Sequence, residues 1–293
     1  MATTFRRAAI VGTGLIGGSF ALALRKHFPE TVVVGWDKPQ VLKQALERNA
    51  INEGIVDLSV ALAGTDLIYV ALPVGHTIEL LPEIGKFAPR SALVTDACST
   101  KRSVCTAAAE AFREGGAKFL GGHPMAGKEI SGIASADANL FRGSKYALIG
   151  AETKPGDSKN PDLRVKNFVT LIEKFDAEPV WLAADAHDRA AAVVSHLPQL
   201  LSVALAGVVR SQTDEKGLPV TLAGRGLRDA LRLAGSPYSV WRDIILTNSD
   251  NLEHMLDQMI QALEQVRGEL RTRALEEEFS EAGELYRILR DMH

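Results

Sequence analysis

Cysteine is nearly absent. The 293 residues hold two, Cys98 and Cys105, too few for a disulfide framework and not at a C-x-x-C spacing. A reducing, cytoplasmic setting is the simpler expectation. Charge of one sign is also scarce: the formal net charge is -3 and no block of like charges occurs. That removes the electrostatic footprint of a nucleic-acid binder. Long apolar runs are missing outside residues 8–24, and no other stretch approaches the ~20 residues of a membrane-spanning helix, so no membrane association is expected. What remains is ordinary globular material, 46% hydrophobic and 24% charged, ample for a core that needs neither metal nor disulfide. The length favours two domains.

The 8–24 run follows Arg6-Arg7 and so resembles a secretory signal peptide. Its glycines argue for a strand, a turn and a helix instead. Gly12, Gly14 and Gly17 form G-x-G-x-x-G directly after a predicted strand and at the opening of a helix. The first glycine suits a tight turn, the second close approach of a pyrophosphate, the third close helix–strand packing. Leu15 and Ile16 belong to the same turn, where the helix N-terminus offers free N–H groups to phosphate. Asp37 ends the second predicted strand, twenty positions after Gly17. A carboxylate there accepts from a ribose 2′-hydroxyl and repels a 2′-phosphate, so NAD is favoured over NADP. Lys38, a neighbouring cation, weakens that preference slightly. The turn containing Leu72 and Pro73 follows the third strand and borders the same crevice.

Short apolar runs alternating with helical patterns predict a parallel sheet with crossover helices. Strands are read at 8–12, 32–36, 67–72, 92–95, 118–120, 145–149 and 180–182. Helices are read at 16–27, 41–48, 77–87, 101–113 and 163–175. Beyond residue 185 strand patterns vanish. Long helical periodicity takes over at 186–211, 218–234, 240–247 and from about 250, where Asp250 is a suitable cap. The fold class is therefore an α/β Rossmann-type nucleotide-binding domain, residues 1–182, followed by an all-α domain, residues 183–293.

Two polar clusters follow strands four and five and open into one crevice: Asp96-Ala97-Cys98-Ser99-Thr100-Lys101, and the loop of residues 121–127, GGHPMAG, with Glu129 close behind. A histidine beside a hydride acceptor suits a general base, its pKa lying near working pH. GGHPMAG preceded by D-x-x-S-x-K, then Ser195-His196-Leu197-Pro198 and the later GLRDALR and VWRDI, resembles the prephenate/arogenate dehydrogenase family of tyrosine biosynthesis across nearly the whole chain.

The resemblance implies NAD-dependent oxidative decarboxylation of prephenate to 4-hydroxyphenylpyruvate, or of arogenate to tyrosine. It implies His123 as acceptor of the ring hydroxyl proton and Ser99 as its orienting neighbour. Arg232 would bind a substrate carboxylate through its guanidinium fork. Ser195 and Trp241 would line the substrate, and His187, Asp188 and Glu129 would form a polar network at the cleft mouth. His196 beside Ser195 is discounted as a nucleophile's partner, since adjacent helical residues diverge by ~100°. The chain departs from the family at Gln199, where many members carry histidine near the substrate side chain, and at Arg225, where relatives often have glycine or serine. No metal ligand set is read.

The helical half is expected to form a homodimer, its apolar stripes exceeding what one small domain covers, with the substrate cleft between the two domains. The chain closes soon after its last helix, so tyrosine inhibition would have to act at the active site. A short-chain 3-hydroxyacid dehydrogenase and a non-catalytic NAD-binding sensor are the competing readings. The first lacks its lysine motif here, and a sensor has no need of a base beside nicotinamide.

Overall fold

The computed structural model describes residues 5–114, 116–128, 130–149, 162–213 and 217–291. Among these described residues eight strands form one sheet. In chain order they are β1 (Arg7–Val11), β2 (Val32–Trp36), β3 (Glu53–Gly54), β4 (Leu67–Val70), β5 (Leu93–Asp96), β6 (Lys118–Pro124), β7 (Lys145–Ile149) and β8 (Glu178–Trp181). Their spatial order is β3-β2-β1-β4-β5-β6-β7-β8, parallel throughout except where β7 runs antiparallel to β6. Strand β4 and, after Arg7, strand β1 read as unbroken apolar runs because helices cover both faces. On one face α1 (Leu15–His27) and α6 (Leu163–Lys174) bury Phe20 and Phe168 around Tyr69, the Phe20 and Tyr69 rings stacked at 3.7 Å. On the other, α3 (Leu58–Leu62), after α2 (Pro39–Glu47), and α4 (Val74–Phe87) pack Leu62 and Ile84 against Val11, Ile68 and Val94.

The sheet departs from the expectation in two places. The two-residue edge strand β3 is too short to carry a period. The strand expected at 118–120 continues to Pro124, so His123 stands in β6 and not in a loop. The glycines that read as turn signals pack closely here: a Cβ on Gly122 would lie 2.5 Å from the Asp96 carbonyl oxygen.

After α5 (Arg102–Ala111) and the sheet, the chain becomes helical: α7 (Ala184–Ala191), a π-helical stretch Ala192–His196, α8 (Leu197–Ser211), α9 (Leu218–Thr221), α10 (Arg225–Leu231), α11 (Tyr238–Thr247), α12 (Ser249–Glu269) and α13 (Leu275–Asp291). Helix α11 packs on α4 through Ile244 and Trp241, joining the two halves. Asp250 does not cap α12; Asn248 precedes the helix, and the Asp250 carboxylate pairs instead with Arg102 of α5.

Two further expectations are corrected. Helix α13 was not anticipated; it buries no residue of its own. The helix spanning 184–211 contains an 18-residue window apolar enough to meet the length and composition of a membrane span. Residues 190–209 carry no charged side chain, and only Ser195, His196, Gln199 and Ser202 interrupt their apolar run with polar groups. Val193, Val194, Val203 and Val208 on it are exposed. Helices α12 and α13 expose Ile260, Leu263, Phe279 and Leu289 likewise.

Candidate active site

The β1–α1 turn is built for close approach. Gly12 has φ +91°, and a Cβ there would meet the Ala71 carbonyl at 2.6 Å; one on Gly17 would sit 1.9 Å from the Gly12 oxygen. These two glycines are required by the protein's own packing. A Cβ on Gly14 would meet nothing within 4 Å, so its bareness serves whatever approaches from outside, as a pyrophosphate would. No side chain caps the α1 N-terminus and no acid stands in its first turn, leaving amides and the positive dipole end for an anion. The Asp37 carboxylate is braced against the turn, accepting from the Thr13 amide at 2.7 Å and the Lys38 amide at 2.7 Å.

In front of the turn lies a cavity of about 440 Å³. Gly14, Leu15, Ile16, Leu72, Pro73 and Ser99 line it from the sheet side, and Ser236, Pro237, Val240 and Trp241 from the helical side. Expected nucleotide residues and the expected aromatic wall therefore share one cleft between the halves. Ser236 and Pro237 were not anticipated.

Behind the cleft runs a hydrogen-bonded chain. Asp188 is fully buried and accepts from the Lys101 amide at 2.7 Å, the Arg102 amide at 2.9 Å and His187 Nδ1–H at 2.8 Å. Because His187 donates through Nδ1, its Nε2 keeps a lone pair, and His123 Nδ1–H donates to that lone pair at 2.9 Å. His123, 9% exposed, is thereby left with its lone pair on Nε2. Burial lowers the His123 pKa well below 6.5, and His187, Lys101 and His196 push the same way. Burial alone would raise the Asp188 pKa, but the His187 hydrogen bond and the two amides hold it below the usual carboxylate value. A neutral base thus backs onto a fixed negative charge. His187 and Asp188 are not at the cleft mouth, as expected, but buried behind the base.

Lys101 and Asp96 form a fully buried ion pair. Lys101 Nζ also donates to the Gly122 carbonyl at 2.7 Å, while Asp96 accepts from the Gly122 amide at 3.0 Å and the Cys98 amide at 2.9 Å. The pair thus clamps the Ser99 turn to β6 beside His123. Burial opposes the Lys101 charge, yet Asp96 holds the ammonium pKa above its ordinary value.

The remaining expected residues are dispersed. Ser195 is half-buried within the π-helical stretch and Gln199 is buried on α8. Arg232, at the end of α10, and Arg225, at its start, are exposed and stand outside the cavity wall. Glu129 lies outside the described residues. Asn248 and His196 were missed: Asn248 Nδ2 donates to the Asp188 carbonyl at 2.8 Å and to His196 Nδ1 at 3.2 Å.

Two family models match the chain: prephenate dehydrogenase, nucleotide-binding domain, over residues 20–177, and prephenate dehydrogenase, dimerization domain, over residues 183–290. The chain belongs to the prephenate dehydrogenase family. It is 32% identical to a prephenate dehydrogenase of Lactococcus lactis subsp. cremoris, the match covering 98% of this chain and 78% of that one. Its fold is similar to that of A. aeolicus prephenate dehydrogenase in complex with hydroxyphenyl propionate and NAD+, with TM-score 0.86, 26% identity and 98% of each chain covered. It is also similar to Synechocystis arogenate dehydrogenase, with TM-score 0.73, 26% identity and coverage of 97% and 96%. The family's Rossmann-like sheet and helical second half are those described above.

Proposed function

We propose that the chain is an NAD-dependent dehydrogenase that oxidatively decarboxylates prephenate, with the amino analogue arogenate as a second substrate. The observation that carries this reading is the chain Asp188–His187–His123, which leaves a neutral imidazole lone pair next to Gly122, the residue that Asp96 and Lys101 tie to the Ser99 turn of the cavity wall. The residues present suit NAD: a glycine bare toward the cleft, uncapped α1 amides, and a braced Asp37 for a ribose hydroxyl. When bound, NAD supplies the hydride acceptor.

His123 Nε2 draws on the proton of the substrate's ring hydroxyl while hydride leaves the carbon that bears it. The bond from ring to carboxylate then breaks, its electrons aromatise the ring, and CO2 departs. His123 returns the proton to the phenol oxygen, so no net proton is consumed. Asp188, held ionised by two amides, stabilises the transient imidazolium through His187. Ser99, on the cavity wall, orients the hydroxyl, and Trp241 packs on the ring. Ser195, Gln199, Arg232 and Glu129 would receive the rest of the substrate, Arg232 reaching in once a dicarboxylate is present. Tyrosine, itself the product from arogenate, would inhibit by occupying the same cleft.

The test is the initial rate of NADH formation with prephenate and arogenate in parallel. Turnover of prephenate with release of CO2 is expected; silence with both substrates would refute the assignment.

A second copy of the chain is proposed to cover the exposed apolar faces of α8, α12 and α13. The matched dimerization domain supports this, and it accounts for the span-like helix 184–211 without a membrane. Light scattering at micromolar concentration should return twice the chain's 31.5 kDa; a monomer mass would refute it.

A further inference from the structure

The nucleotide turn uses Gly12, Gly14 and Gly17, and it gives no task to the glycine that follows, Gly18. A Cβ on Gly18 would lie 2.4 Å from Ile133 Cδ1 and 3.1 Å from Ala136 Cβ. Gly18 is bare to admit the segment between β6 and β7, whose single 3₁₀ turn, Ile133–Ser135, packs on α1. Three hydrogen bonds fasten the same segment. The Asp137 amide donates to Ser19 Oγ of α1 at 2.9 Å, and Lys26 Nζ donates to Asn139 Oδ1 at 2.7 Å. Arg48 Nη2, just beyond α2, donates to the Ala136 carbonyl at 2.9 Å. Residues 133–139 are thus a strap pinned across α1. The residues leading into it, Lys128, Ile130, Ser131 and Gly132, face the cleft cavity opposite the Gly14 turn.

Among the described residues that line this cavity, Lys128 alone carries a charge. The occupants of the cleft are anions, and an anion drawn out of water is costly unless it is paired. The α1 N-terminus supplies amides and a partial charge of only about half an elementary unit, short of balancing a pyrophosphate. The Lys128 ammonium is loosely held. Its Nζ lies 3.3 Å from the Ser135 carbonyl oxygen and 3.4 Å from Asp137 Oδ2, both longer than a close charge-assisted contact. The side chain is 38% exposed. Both contacts belong to the strap seated on the first turns of α1, so the ammonium stands on the phosphate side of the cleft.

We propose that Lys128 is the cation of the pyrophosphate site. On cofactor binding its ammonium leaves Asp137 and pairs with a phosphate oxygen in front of Gly14, while the strap keeps the start of its stem within reach. Gly18 serves the same end, by letting the strap lie close on α1. The inference rests on the NAD-dependent reading and deepens it.

Isothermal titration of NAD and of ADP-ribose, which has the pyrophosphate without the nicotinamide, tests it on the wild type, Lys128→Met, Lys128→Arg and Asp137→Asn. Methionine keeps the apolar stem and removes the charge. Kd for both ligands should rise about tenfold and lose part of its dependence on ionic strength. Arginine should restore most of the affinity. Asp137→Asn should tighten both ligands, because it frees the ammonium while Oδ1 can still accept from the Asn139 amide. If Lys128 served only to staple the strap to Asp137, Lys128→Met and Asp137→Asn would weaken NAD alike, which would overturn the proposal. Unchanged Kd values with a raised KM for prephenate would put the ammonium on the substrate and overturn it equally. The titrations involve no turnover. A wild type that binds NAD through Lys128 yet oxidises neither prephenate nor arogenate would refute the proposed function and leave this site standing.

Discussion

His123→Asn is expected to lower kcat by about 10²–10⁴-fold, the usual contribution of a positioned general base, with NAD affinity unchanged. Asparagine isolates the relevant atom. Its Nδ2 can stand where His123 Nδ1 now donates to His187, so the hydrogen-bonded chain and its Asp188 anchor are kept, and only the basic Nε2 is lost. Isothermal titration with NAD and single-turnover rates separate binding from chemistry. A kcat within a factor of a few of the wild type would remove His123 from the mechanism. The pH profile gives a second reading of the same group. The catalytic form is the neutral imidazole, and burial together with His187, Lys101 and His196 lowers its pKa well below 6.5. The kcat/KM of the wild type should therefore stay level as pH falls through 6.5 and decline only in more acid solution. An acid limb centred at or above 6.5 would show that the working base is another group.

The nucleotide half was legible because its determinants are local. Strands β2 and β7 begin and end where the apolar runs do, and Gly12, Gly14, Gly17 and Asp37 lie within twenty-six positions of one another. His123 was legible as a residue but not in its setting. Gly121, Gly122 and Pro124 carry the composition of a turn, whereas in the fold the glycines admit the β5 backbone and the Cys105 thiol. The support behind the base was the least legible part. Asp188 meets Lys101 across 87 residues, and Asn248 meets His196 across 52, and neither separation leaves a periodic trace. Asp250 illustrates the same limit. By local chemistry it is a helix cap, but Arg102, brought alongside by the packing of α5, takes its carboxylate. The π turn is invisible to a 3.6-residue period because it consists in departing from one.

Lys101→Met should lower the free energy of unfolding by about 3–5 kcal/mol, the penalty for leaving a buried charge without its partner. Both side chains of the pair are fully buried. With lysine gone, the Asp96 carboxylate keeps only the Cys98 and Gly122 amides and cannot recover the lost attraction from water. It must protonate or draw solvent into the sheet. The Gly122 carbonyl loses its Nζ donor at the same time, so β6 is loosened next to His123 and activity should fall along with stability. Urea unfolding of holoenzyme-free protein at fixed concentration measures the first effect as a lower midpoint with an unchanged slope. The double variant Lys101→Met/Asp96→Asn identifies its origin. Neutralising the stranded carboxylate should recover a good part of the lost stability, whereas the activity should not return, because the clamp between the Ser99 turn and β6 is still missing. A single variant as stable as the wild type would mean that the buried pair is not what holds these two segments together. A double variant less stable than the single one would mean that the amide hydrogen bonds to Asp96, and not the ion pair, hold the turn.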